Sequence, residues 1–182
     1  MKKIILLVCV TLFCCVGNSL AQTTKKEMTR QEKKEKQKAM EQALFEEAKQ
    51  AIENKAFTLE ANQVIFKRGK SAFVSSNTNF VMVDGDRASV QVAFNIPVSG
   101  PNGLGGVTVD GNVSGYKIKT DKKGTMYLTM NVMGIGISAQ VSITLPHGSN
   151  NATVDIRPNF NSNRLTLSGE LLPLDKSNVF KG

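Results

Sequence analysis

The chain has 182 residues, with 23 basic and 15 acidic side chains and no tryptophan, which is enough for one domain with a substantial core and too little for two. Its formal charge of +8 is moderate. The basic residues of the body (Lys67, Arg68, Lys70, Lys117, Lys119, Lys122, Lys123) fall in or beside turns and do not interleave with aromatic rings, so composition argues against a nucleic-acid partner.

The N-terminus reads as a secretory signal. Lys2 and Lys3 form a basic start, Ile4 to Val16 a nearly unbroken apolar run, and Ser19-Leu20-Ala21 ends it with small residues where a signal peptidase reads them. The expected cleavage lies between Ala21 and Gln22. The run is too short for a spanning helix, and the polar residues from Thr23 onward make no stop-transfer pattern. Removal of residues 1–21 takes Cys9, Cys14 and Cys15 with it and lowers the charge to +6, so the exported chain has no disulfide, thiol nucleophile or thiolate ligand. Cys14 follows Phe13, and Cys15 follows Cys14, where lipidation wants a small residue; the expectation is release to the periplasm or cell envelope and not a lipid anchor.

From Lys25 to Lys38 nearly every side chain is charged or carries an amide, and such a stretch has no face to bury. It reads as a solvated helix or a disordered tether. Beyond it Met40, Leu44, Ala48 and Ile52 recur every four residues, widened by Phe45 and Ala51, which predicts an amphipathic helix to about Asn54 that packs on the body. Glu41, Glu46, Glu47 and Glu53 on its polar face favour packing over adsorption to a membrane.

At Ala56 the period changes from four to two. Phe57 and Leu59, then Val64 and Phe66, begin the alternation; Phe80 to Val83 and Ala88 to Phe94 flank Asp84-Gly85-Asp86, a hairpin turn signal. Further strand-like runs are Val107 to Val113, Tyr116 to Thr120, Met126 to Val132, Ile135 to Leu145, Thr153 to Ile156 and Leu165 to Leu172, with turns at Asp121 to Gly124, Pro146 to Asn150 and Pro158 to Asn163. The expected fold is mainly β: an antiparallel β-sandwich or small β-barrel of about nine strands, preceded by an N-terminal α-helix. The organisation is a signal over 1–21, a charged leader and helix over 22–54, and an antiparallel β domain over 55–182. An outer-membrane barrel would want aromatic girdles, for which only Tyr116 and Tyr127 are at hand.

Residues that could carry chemistry are few. His147, the only histidine, lies in a Pro-His-Gly-Ser turn and reads as a loop residue, because a general base needs an orienting partner and a metal several ligands. Asp84, Asp86, Asp110, Asp121 and Asp155 could pair for glycoside chemistry, but turns want aspartate for its backbone bonds. The glycine-rich segment from Ser99 to Gly106 feeds Val107-Thr108-Val109, a strand and not the helix a phosphate loop requires. Met126, Met130 and Met133 read as core filler, although methionine also lines adaptable pockets.

Three segments, Phe57-Thr58-Leu59-Glu60-Ala61, Asn79 to Asp86 and Leu165 to Leu171, resemble the exported family named domain of unknown function 4251. Its members come mostly from Bacteroidetes and share a signal, a charged helical leader and a strand-rich body. The likeness spans nearly all of the chain after the signal and departs after Val92, where Ala93-Phe94-Asn95-Ile96-Pro97 stands in place of a Leu-Pro-Tyr-like stretch. The family carries no established activity, so the resemblance transfers no catalytic residue to this chain.

The sequence thus predicts a non-enzymatic envelope protein without cofactor or metal. One reading gives it a small apolar or amphipathic ligand, with Gly103, Gly105, His147 and Gly148 as the rim of the site. The other has it dock on an envelope protein or other envelope component through a strand edge or the leader helix. Association with a membrane is compatible with both readings, without spanning it.

Overall fold

The structure, a computed structural model, describes residues 29–65, 69, 71–93, 106–135, 137–159 and 164–179. The chain divides into two units, 1–35 and 36–182. In the first, Thr29 opens helix α1 (Arg30–Glu53) with a capping box: its hydroxyl accepts from the Glu32 N–H at 3.3 Å, and its own N–H donates to the Glu32 carboxylate at 2.7 Å. Part of the charged leader is therefore helical.

The second unit holds the rest of α1 and nine strands: β1 (Ala56–Ile65), β2 (Ser71–Phe73), β3 (Asn79–Asp84), β4 (Arg87–Ala93), β5 (Gly106–Thr120), β6 (Met126–Gly134), β7 (Ser138–Leu145), β8 (Asn151–Pro158) and β9 (Leu165–Pro173). Every neighbouring pair is antiparallel, and β9 returns to pair with β1 from Phe57–Pro173 to Ile65–Thr166. Eight strands thus close into an up-and-down barrel, with β2 added beside the far half of β1. Between sandwich and barrel, the structure decides for the barrel.

Two strand readings change. The runs at Val107 to Val113 and Tyr116 to Thr120 are one strand, β5, whose pairing with β6 slips between Ser114 and Lys117 where Gly115 takes φ +63°. Ile135 lies outside β7, in the turn before it, and β2 is a strand too short for alternation to signal.

Side-chain alternation places apolar residues inside. Along β6, Met126, Leu128, Met130 and Val132 are buried while Tyr127, Thr129, Asn131 and Met133 are exposed. A barrel in a membrane needs the reverse, with lipid on its outer face. No helix among the described residues is long and apolar enough to cross a membrane. The buried side chains, including Phe57, Leu59, Val90, Leu128, Val141, Ile143, Val154 and Leu167, form one continuous cluster, as expected for eight strands, whose interior side chains can fill.

Helix α1 closes one end of that cluster with Phe45, Ala48, Ala51 and Ile52. The Tyr116 hydroxyl donates to the Ile52 carbonyl at 2.6 Å, satisfying a helix-end acceptor, and Lys55 leaves the helix with φ +54°. Met40, expected on the packed face, is 65% exposed, one turn short of the barrel. Behind β9 the chain makes a 3-10 turn (Leu174–Lys176) against β1 and β3, and Glu60 on β1 accepts from the Ser177 hydroxyl at 2.9 Å and the Asn178 N–H at 3.1 Å.

Candidate functional site

The barrel has two unlike ends. At the first, under α1, lie the β3–β4, β5–β6 and β7–β8 turns and the end of β9. Here stand His147 and Gly148. The His147 ring meets Phe45 edge-on with centroids 4.9 Å apart, and a Cβ on Gly124 would come within 2.9 Å of His147 Nδ1, so the two turns pack on each other. Gly148, at φ +75°, lies beside Gln42 of α1. His147 is thus part of the closure between helix and barrel. Gly103 and Gly105 lie outside the described residues, but Ala93 and Gly106, which bracket them in sequence, pair at the opposite end of the barrel.

Four of the five candidate aspartates, Asp86, Asp110, Asp121 and Asp155, have side-chain partners of their own. Asp86 takes the Lys55 ammonium at 2.9 Å, and Asp110 takes Arg87 at 3.2 Å. Asp121 accepts the N–H groups of Lys123 at 2.8 Å and Thr125 at 2.9 Å, and the Tyr127 hydroxyl at 3.3 Å. The Thr125 amide, with help from Lys123 and the side chains of Tyr127 and Thr125, holds the Asp121 carboxyl below its usual range although partial burial opposes it. Asp155 is pushed up by burial, but the Arg164 and Thr166 hydrogen bonds and the charges of Arg164 and Arg157 outweigh that and leave it lowered. No group of three or more His, Cys, Asp or Glu suited to a metal occurs among the described residues.

Tyr116 is the most perturbed group. Burial pushes its hydroxyl well above the ordinary phenol range, it stays a hydrogen-bond donor to Ile52, and Lys55 Nζ stands 5.4 Å from its ring centre. Its role is to join helix and barrel wall, and the girdle reading finds no support in it.

Two surface features escaped sequence reasoning. The first is an open cleft of about 590 Å³ outside the barrel, between α1 and the C-terminal turn, floored by Ala51, Ala56 and Leu174 and edged by Gln50 and Asn54. The ion pair of Lys176 with Glu47, at 2.8 Å, belongs to its lining. The second is a set of exposed apolar side chains near the far end: Phe73 on β2 at 89% exposure, Met133 at the end of β6 and Ile135 in the β6–β7 turn at 104%. Of the three methionines read as filler, Met126 and Met130 are core and Met133 is not.

The family profile "Domain of unknown function (DUF4251)" matches residues 37–171. The chain belongs to the DUF4251 family. It is similar, at 56% identity and TM-score 0.72, to the crystal structure of a DUF4251 family protein from Bacteroides eggerthii DSM 20697, over 80% of this chain and 97% of that one. The Bacteroides source agrees with the Bacteroidetes resemblance read from the sequence. No curated protein matches the chain.

Proposed function

We propose that this DUF4251 protein is exported to the cell envelope and acts there without catalysis, by docking on an envelope component. The observation that carries the reading is the distribution of apolar side chains. Inward positions and the inner face of α1 are joined in one buried cluster, while Ile135 and Phe73, more exposed than the other large apolar residues Met40, Ile118, Tyr127 and Met133, stand almost wholly in solvent near one end. Single exposed apolar residues are ordinary, but large ones collected at one end of a domain are a feature of interaction surfaces. Export rests on the basic, apolar and small-residue pattern that ends at Ala21.

Sedimentation of the chain from Gln22 onward with envelope fragments of a Bacteroides host tests this reading. It predicts saturable association, and protein that stays in the supernatant at all fragment concentrations contradicts it.

A second reading, a small amphipathic ligand, is favoured by the cleft between α1 and the C-terminal turn, whose apolar floor and polar edge suit such a molecule. Titration with a fluorescent fatty-acid probe separates the two. Saturable binding that is lost in Leu174→Asp supports the ligand, and an unsaturable signal removes it.

A further inference from the structure

We infer that the outer face of β6 and β7 binds a neutral carbohydrate chain. This goes beyond the docking reading and uses neither the apolar end nor the cleft. From Gly124 to Val154 the sequence has no Asp, Glu, Lys or Arg, in a chain where such residues make up 21%. That stretch supplies β6 and β7, whose inward side chains belong to the core. Their register sets the outward ones in three cross-strand rows: Tyr127 with Thr144, Thr129 with Ser142, and Asn131 with Gln140. Tyr127, Thr129, Asn131 and Gln140 are exposed, and Ser142 and Thr144 are half-buried. Charge begins at the borders. On β5, Lys119 and Lys117 stand opposite Tyr127 and Thr129; on β8, Thr153 continues the first row, and Asp155 and Arg157 end the other two. Asp155 is itself engaged by Arg164 and Thr166.

The chemistry of the rows selects the occupant. A soluble surface ordinarily carries charge on about a quarter to a third of its residues, and charged groups are costly to strip of water. Two adjacent strands without a charge form a face that exchanges its water readily. A protein partner ordinarily finds an apolar centre to bury, whereas the three rows hold no apolar side chain beyond the Tyr127 ring. Hydroxyls and amides both donate and accept, as the hydroxyls of a sugar do. Among the described residues, the side chains of Thr129, Asn131, Gln140, Ser142 and Thr144 have no hydrogen-bond partner, so each is open to that exchange. Tyr127, 41% exposed, is steadied by the bond of its hydroxyl to Asp121 at 3.3 Å, and its ring offers a plane for the C–H face of a sugar. An anionic ligand would call for cations at the centre, and here they stand at the margins.

The test is titration calorimetry of the chain from Gln22 onward with maltohexaose, cellohexaose, mannohexaose and chitohexaose, and with hexagalacturonate as an anionic arm. Saturable heat is expected with at least one uncharged hexasaccharide, with an affinity that salt leaves unchanged. Tyr127→Ala should weaken it about tenfold and Gln140→Ala about threefold or more, whereas Tyr127→Phe, which keeps the ring, should stay within about twofold. Met40→Ser on α1 should leave it unchanged. Circular dichroism and melting establish that the variants fold, and Gln140→Ala, at an exposed position, carries the test on its own if Tyr127→Ala does not. Binding unaltered by both Tyr127→Ala and Gln140→Ala places the site elsewhere and overturns the inference. Binding of hexagalacturonate alone, weakened by salt, overturns it in favour of the Lys117 and Lys119 margin. Absence of saturable heat with every uncharged hexasaccharide overturns it outright.

Discussion

Phe45 and His147 face each other edge to plane, their ring centroids 4.9 Å apart, and through this contact the helix reaches the β7–β8 turn. The only histidine of the chain is therefore held against the core. Such a pair contributes about 0.5–1.5 kcal/mol beyond area burial. His147→Ala should lower stability by about 1–2 kcal/mol, or roughly 2–8 °C in melting temperature for a domain of this size. An unaltered melting temperature would mean that the ring contact is idle.

The helix should matter by position. Phe45→Ala and Ile52→Ala remove side chains with 3% and 1% exposure from the common cluster, and each should cost about 2–5 kcal/mol. Met40→Ser should stay within about 0.5 kcal/mol. Urea unfolding reads both; a cost for Phe45→Ala no greater than for Met40→Ser would show that α1 does not close the barrel.

Closure of the sheet depends on Gly169. It pairs with Ala61 at the irregularity in β1, and a Cβ there would come within 2.0 Å of the Glu60 carbonyl oxygen. Strand β1 has to move for any side chain to fit. Gly169→Ala should destabilise by about 1–3 kcal/mol or more and speed amide exchange along β1 and β9 selectively. Uniform exchange across the barrel would place the strain elsewhere.

Asp155 predicts an acid limb of stability. Its folded carboxyl titrates below the unfolded one, so its contribution is present above the unfolded value, about pH 3.9, and is lost as pH falls through the lowered folded value. Asp155→Asn should reduce stability by about 1 kcal/mol at pH 7 and flatten its fall below about pH 4. Equal acid slopes for the two proteins would assign that limb to other groups.

Legibility followed the physics of each signal. The Asp84-Gly85-Asp86 hairpin is explicit in the chain because Gly85 takes φ +58° between two alternating runs. Gly115 misleads by the same token: a glycine at positive φ inside a strand looks like a turn, and β5 reads as two strands. Thr29-Arg30-Gln31-Glu32 is a capping signal in plain view, eclipsed by the charge that follows. His147 and Gly103 both lie in turn-like sequence, and nothing local tells that the first belongs to the end beneath α1 while Ala93 and Gly106, around the second, belong to the other. That separation comes from the order of eight antiparallel strands. The exposure of Met133 follows from alternation with buried Met130 and Val132, whereas that of Phe73 depends on β2 pairing with the outer margin of β1.

The chain from Gln22 has no cysteine, so one introduced thiol can carry a single environment-sensitive fluorophore. With the label at Ile135→Cys and, separately, at Lys123→Cys beneath α1, addition of envelope fragments should shift the emission to the blue at position 135 and leave it unmoved at 123. A shift at 123 alone, or at neither position, would contradict docking through the far end of the barrel.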